Sequence, residues 1–150
     1  MSIKIGQASL GETGGRNQQP GNQNGRELNI SNWYNGRWLG ILRYKSRKKA
    51  ERAAQTCEAA IKNRNIGYDM DNRNTAYEAA RAVGWDVSKI AKPVETDCSA
   101  LMMLCAVAAG CASIEALYRR QGNSCTTYCM LHDWPATGDF VLLTDSKYLT

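Results

Sequence analysis

The feature that most restricts this chain is the run after Pro93. From Ala100 through Leu101, Met102, Met103, Leu104, Cys105 and Ala106 to Val107 it carries no polar residue on any side. Built largely of good helix formers and apolar all round, the run predicts a helix over about 97–109 that has no face for water. The rest of the chain must enclose it. Pro93 interrupts any regular element before it, the residues up to Thr96 read as loop, and Thr96 or Asp97 can cap the helix. Cys98 then falls in the first turn, where unpaired N–H groups and the helix dipole favour an anion. Cysteine reacts as thiolate, so this placement predicts alkylation of Cys98 below the usual thiol pKa of about 8.5. A buried helix would also hold the sulfur rigidly, as catalysis needs.

Around this helix the chain reads as an α+β fold in which helix dominates. Ser46 caps a helix over Lys48–Ile61, and Asp71 or Asn74 caps a second over Thr75–Ala82 that Gly84 stops. Val87–Ala91 makes at most one further turn, Ser113–Arg119 a short helix and Cys125–Leu131 another, and Phe140–Leu143 is a short strand. Between Ile30 and Tyr44, Asn35-Gly36 lies among Trp33, Tyr34 and Trp38, a pattern that predicts two short strands joined as a hairpin. Residues 6–27 hold Gly6, Gly11, Gly14, Gly15, Gly21 and Gly25 among Asn and Gln, which is loop chemistry with little to bury. We therefore expect one domain over 1–150, with 1–28 as a loop region.

No stretch approaches the length of a membrane span, and the first residues lack the apolar core of a secretion signal. The net charge of +5 favours anionic partners, either nucleic acid or a cell wall bearing anionic polymer. Arg43, Lys45, Arg47, Lys48 and Lys49 cluster, which a solvated helix face explains. The six cysteines lie mostly among Ala, Leu and Met without a secretion signal, so all but Cys98 read as reduced and structural.

Asp97-Cys98-Ser99-Ala100-Leu101 resembles the nucleophile motif of NlpC-type cell-wall cysteine peptidases, a papain-like superfamily. Ile66-Gly67-Tyr68-Asp69 looks like the Gly-Tyr element that precedes the nucleophile in phage members of that family. The run from Gly6-Gln7-Ala8-Ser9 through Gly25-Arg26-Glu27-Leu28 to Trp33-Tyr34 is similar to the front end of phage and prophage lysins. The resemblance spans nearly the whole chain and implies a papain-like catalytic domain that cuts an amide bond of the peptidoglycan stem peptide, without a cofactor. It implies Cys98 as nucleophile, Tyr68 as the active-site tyrosine, and Asp97, Ser99, Trp33 and Tyr34 as residues around the substrate. Such a protein would be made in the cytoplasm and reach the wall on phage lysis or in a phage particle. The alternative is a non-catalytic basic module for anionic wall polymer or nucleic acid, though the family resemblance speaks against nucleic acid.

The family's general base is a histidine on a downstream strand, after a Gly-Asp-Ile/Val-type opening that Gly138-Asp139-Phe140-Val141-Leu142 resembles loosely. Asp145-Ser146-Lys147-Tyr148-Leu149-Thr150 looks like the approach to that sheet, so a further segment or chain is expected to complete the sheet and supply the base. The single histidine here is His132, in Cys125-x3-Cys129-x2-His132. It is a candidate base in an unusual place, a plain surface residue, or part of a zinc site with Cys125, Cys129 and a fourth ligand such as Cys105 or Cys111.

Overall fold

The computed structural model describes residues 3–9, 23, 27–34, 36–145 and 147. The chain runs β1 (Lys4–Ala8), β2 (Leu28–Asn32), β3 (Ile41–Tyr44), α1 (Arg47–Lys62), β4 (Ile66–Tyr68), α2 (Thr75–Ala82), β5 (Val94–Thr96), α3 (Cys98–Ala108), α4 (Ala112–Arg119), α5 (Thr127–His132) and β6 (Phe140–Leu143). Short 3-10 turns, Val87–Lys89 and Trp134–Thr137, precede β5 and β6. The architecture is α+β with helix dominant, as the sequence predicts.

The apolar run forms α3, and it lies at the centre. Leu101, Met103, Leu104 and Ala106 have no exposed surface. Burying side chains as large as Leu or Met stabilises the fold by about 1.5–3 kcal/mol each. Against α3 packs α1, capped by Ser46, whose hydroxyl accepts from the Lys49 N–H at 3.3 Å. The small Ala53 and Ala60 are the buried residues of α1. At the C-terminal end of α3, Gly110 takes the left-handed conformation, φ 94°, that lets the chain leave a helix end and turn into α4. Tyr118 of α4 is anchored below, its hydroxyl accepting from Trp134 Nε1 at 2.7 Å.

Among the described residues the strands form pairs rather than one sheet: β1 with β2 and β3 with β6 antiparallel, β4 with β5 parallel. Two sequence expectations change here. An N-terminal antiparallel pair exists, but its strands are β1 and β2, not the two sides of Asn35-Gly36. Residues 33–38 are occupied by aromatic stacking, Trp38 lying 5.5 Å from Trp33 and 5.2 Å from Tyr34, so β3 leaves to pair with β6 instead. The stretch after Pro93, read as loop, is the strand β5, held against β4 with Tyr68 opposite Thr96. Residues 10–22 and 24–26 of the Gly-rich region, Asn35 of the turn, and 146 and 148–150 near the C-terminus lie outside the described residues. Residues 4–8 of the front end are strand. No described helix is long and apolar enough to cross a membrane.

Candidate active site

The site is built at the start of α3. Asp97 stands at the N-cap with an extended backbone, and its Oδ1 accepts from the Ala100 N–H at 2.8 Å. Its Oδ2 is paired with Arg73 Nη1 at 3.0 Å, and both side chains are largely buried. Arg73 Nη2 donates to Ser99 Oγ at 3.0 Å, and the Ser99 hydroxyl lies between Asp97 Oδ1 at 3.2 Å and the Cys125 carbonyl at 3.1 Å. Asp97 and Ser99 are therefore taken up inside the protein. Together with Arg73 they fix the backbone that carries Cys98, and Ser99 also lines one of the grooves at Cys98.

Cys98 itself is exposed. It sits where two grooves meet, of about 470 and 430 Å³, with Trp38 and Met102 lining both. Tyr68 and Tyr34 line the first groove with it; Arg37, Leu42, Met130 and Leu131 line the second. Tyr68 reaches this place because β4 runs beside β5, and the strand continues as Asp69 N–H donates to the Thr96 carbonyl at 3.1 Å. Gly67 permits the approach of its neighbours: a Cβ there would lie 2.5 Å from Gln23 Cγ and 2.9 Å from Glu95 Oε2. Asp69, buried, receives the N–H groups of Asp71 and Asn72 at 2.7 and 3.2 Å and so closes the turn after Tyr68.

The thiol's resting state differs from the one the helix position suggests. Partial burial and the Asp97 carboxylate raise the Cys98 pKa, outweighing the backbone N–H groups of Ser99 and Cys98 and the charge of Arg73, which lower it. The reason is local. The capping carboxylate already occupies the electropositive end of the helix, and a second anion beside it is disfavoured. The balance favours the neutral thiol over the thiolate.

Other expected residues fall elsewhere. Trp33 lines a third groove with Ile5, Cys57 and Met102 and does not line either groove at Cys98. His132 is exposed, stacks on Tyr128 at a ring distance of 4.1 Å, and lines neither groove. It shares that face of α5 with Tyr128 (i, i+4), whereas Thr127, Met130 and Leu131 face the second groove. The Cys125/Cys129/His132 helical face does not form. Thr126 caps α5, accepting from the Cys129 N–H at 3.2 Å, so the helix starts after Cys125. Burial pushes the Cys125 thiol up to about 12, and burial with the Asp139 charge takes Cys111 to about 11. The hydrogen bond to Cys57, then burial, likewise raises Cys105. No group of three or more His, Cys, Asp or Glu among the described residues could hold a metal ion. Arg73 and Trp38 escaped the sequence reading; both belong to the site.

The site thus joins an exposed thiol on the first residue of a buried, capped helix to a groove lined by a tyrosine. The model of the endolysin-like domain matches residues 5–150, and the chain belongs to that family. It is a lysin-type domain directed at the bacterial cell wall, with peptidoglycan as its implied substrate. No curated protein and no solved structure matches it.

Proposed function

We propose that this domain is a papain-like cysteine hydrolase that cuts an amide bond of the peptidoglycan stem, either within the peptide or at the glycan–peptide link. The observation that carries the reading is Cys98 at the junction of two grooves, with Tyr68 in one of them. The Cys98 sulfur, deprotonated, attacks the amide carbonyl carbon; the C–N bond breaks, the amine leaves with a proton, and water releases the thioester. The backbone N–H of Cys98, the first residue of α3, would donate to the oxyanion. Tyr68 orients the carbonyl. His132 lines neither groove, so we take the proton acceptor to be a base brought by a further segment or chain that extends the β3–β6 pair, as the NlpC-type resemblance implies. Loss of turbidity of purified cell walls tests this: the wild-type domain with its downstream segment clears them, and Cys98→Ala does not. Equal clearing by both would remove Cys98 from the reaction.

A second reading, a basic module that binds anionic wall polymer without cutting, draws on the exposed Arg43 of β3, Lys45 after it and Lys48 in the first turn of α1. Of their neighbours, Arg47 pairs with Glu51 and Lys49 with Asp139. This reading expects wall binding that falls steeply with salt and is indifferent to Cys98→Ala.

A further inference from the structure

The groove that Tyr68 shares with Cys98 is lined by no charged side chain among the described residues; Tyr34, Trp38 and Met70 face it together with Gln7 and Ser9. Two of its rings are held in place. The Tyr34 hydroxyl donates to Gln7 Oε1 at 3.4 Å, and Gln7 Nε2 donates in turn to Asn29 Oδ1 at 3.1 Å. Tyr34 is thereby tied to the β1–β2 pair. Trp38 packs on Tyr34 with ring centroids 5.2 Å apart and planes tilted by 51°, and its Nε1 donates to the Tyr34 carbonyl at 2.9 Å. The packing tolerates only glycine at position 36, where a Cβ would lie 2.8 Å from Trp38 Cζ2 and 3.0 Å from Tyr34 Cε2. Tyr34 nonetheless keeps 45% of its surface exposed, so its ring is fixed without being buried. Exposed apolar surface with polar groups at its rim is where ligands bind.

Peptidoglycan offers two kinds of group beside its amides. Stem-peptide side chains are mostly methyl groups or charged. An uncharged aromatic groove holds a methyl loosely, and it strips water from a charge without giving it a partner. An N-acetylated sugar ring is neutral, lays flat faces of C–H groups on aromatic rings, and carries hydroxyl and acetamido groups at its edge. We infer that the Tyr34–Trp38 face holds the N-acetylated sugar whose lactyl group is joined to the stem, and so selects the glycan–peptide amide for Cys98. This rests on the reading of Cys98 as nucleophile and chooses between the two bonds that reading leaves open. Gln7 and Ser9, both half-buried in the groove wall, offer an amide and a hydroxyl to the polar edge of the sugar. The thioester then forms on the lactyl carbonyl, the amino group of the stem leaves with a proton, and water returns the lactyl carboxylate. The stem leads away through the second groove, along the aliphatic Leu39, Leu42 and Leu131.

The test uses two probes with the same scissile amide: the lactyl-peptide joined to its N-acetylated sugar, and the lactyl-peptide alone. The wild-type domain with its downstream segment is expected to favour the sugar-bearing probe by about tenfold or more in kcat/KM, read from release of the amino terminus of the stem. Tyr34→Leu should bring that ratio near one, and Tyr34→Phe, which keeps the ring, should retain most of it. A ratio near one in wild type, or an unaltered ratio in Tyr34→Leu, overturns the inference. So does digestion of whole walls that exposes new amino termini only within the stem peptide. If wild type cuts neither probe, calorimetry of the peptide-free lactyl sugar replaces kinetics. Cys98→Ala should then bind it about tenfold more tightly than the double variant with Tyr34→Leu, and equal affinity or no binding is the overturning result. Failure of the nucleophile reading shows separately, as cutting by Cys98→Ala at the wild-type rate whichever probe is used.

Discussion

Arg73 reaches across from the segment before α2 to hold the Asp97 carboxylate at 3.0 Å, one residue before the exposed Cys98 thiol. The same guanidinium binds Ser99 on the other side of that cysteine. Cys98 is thus gripped through its neighbours, and the grip has both mechanical and electrical consequences.

Arg73→Met would leave the Asp97 carboxylate buried without its counter-charge. The expected loss is about 3 kcal/mol, the low end for a buried pair because Arg73 keeps 18% exposure. Urea unfolding measures it. The double variant Arg73→Met with Asp97→Asn should recover part of the loss, since no unpaired charge remains. Stability equal to wild type in the single variant would mean that water takes over the role of Arg73.

Asp97 raises the Cys98 pKa, so the neutral amide in Asp97→Asn should lower it while keeping an oxygen to cap α3. Thiol alkylation followed against pH is the measurement. In wild type the rate should climb through a midpoint above the ordinary thiol value of about 8.5. In Asp97→Asn the midpoint should move down, and in Arg73→Met up. Movement in the opposite sense would contradict the electrostatic account.

Gly67→Ala should destabilise the fold by about 1–3 kcal/mol through overpacking, because the new methyl meets Gln23 Cγ at 2.5 Å and Glu95 Oε2 at 2.9 Å. Tyr68→Phe, by contrast, keeps the packing and removes only the hydroxyl. If Tyr68 acts on the substrate carbonyl, wall clearing should fall by about tenfold or more. A Phe variant as active as wild type would leave Tyr68 a packing residue.

Acid stability reports on a different pair. Burial pushes the Asp139 carboxyl up, but its bonds to Lys49 at 2.6 Å and Ser113 at 2.9 Å more than offset this and leave it below the usual carboxylate value. A group depressed on folding contributes stability above its unfolded pKa and loses it as pH falls through the folded value. The pair joins α1 to the residue before β6, and Lys49→Met should remove about 1 kcal/mol at pH 7 and flatten the stability curve below about pH 4. A variant with the wild-type acid slope would show the contact to be idle.

Helix α3 was legible because a run with no polar side can only be enclosed, and Asp97 marked its start. The neighbouring β5 was not, since three residues beside a proline show no period, and its strand character comes from pairing with β4. Trp33 and Tyr34 are adjacent in sequence, yet only Tyr34 lines a groove at Cys98. Arg73 left no local signal at all: its partner Ser99 is 26 residues away, and chain distance carries no information about which carboxylate a guanidinium will meet.

By itself the sequence determined that one buried, capped helix organises the domain and that Cys98 opens it, because periodicity and capping are local properties. It also placed Tyr68 in a Gly-Tyr element without showing what lies beside it. Tertiary structure decided the rest: that Tyr68 shares a groove with Cys98, that Asp97 and Ser99 both meet Arg73, that His132 lines neither groove, and that the Cys98 pKa is raised. Each of these depends on which charges, rings and N–H groups arrive from distant parts of the chain, and only the packing of α3 against its neighbours brings them together.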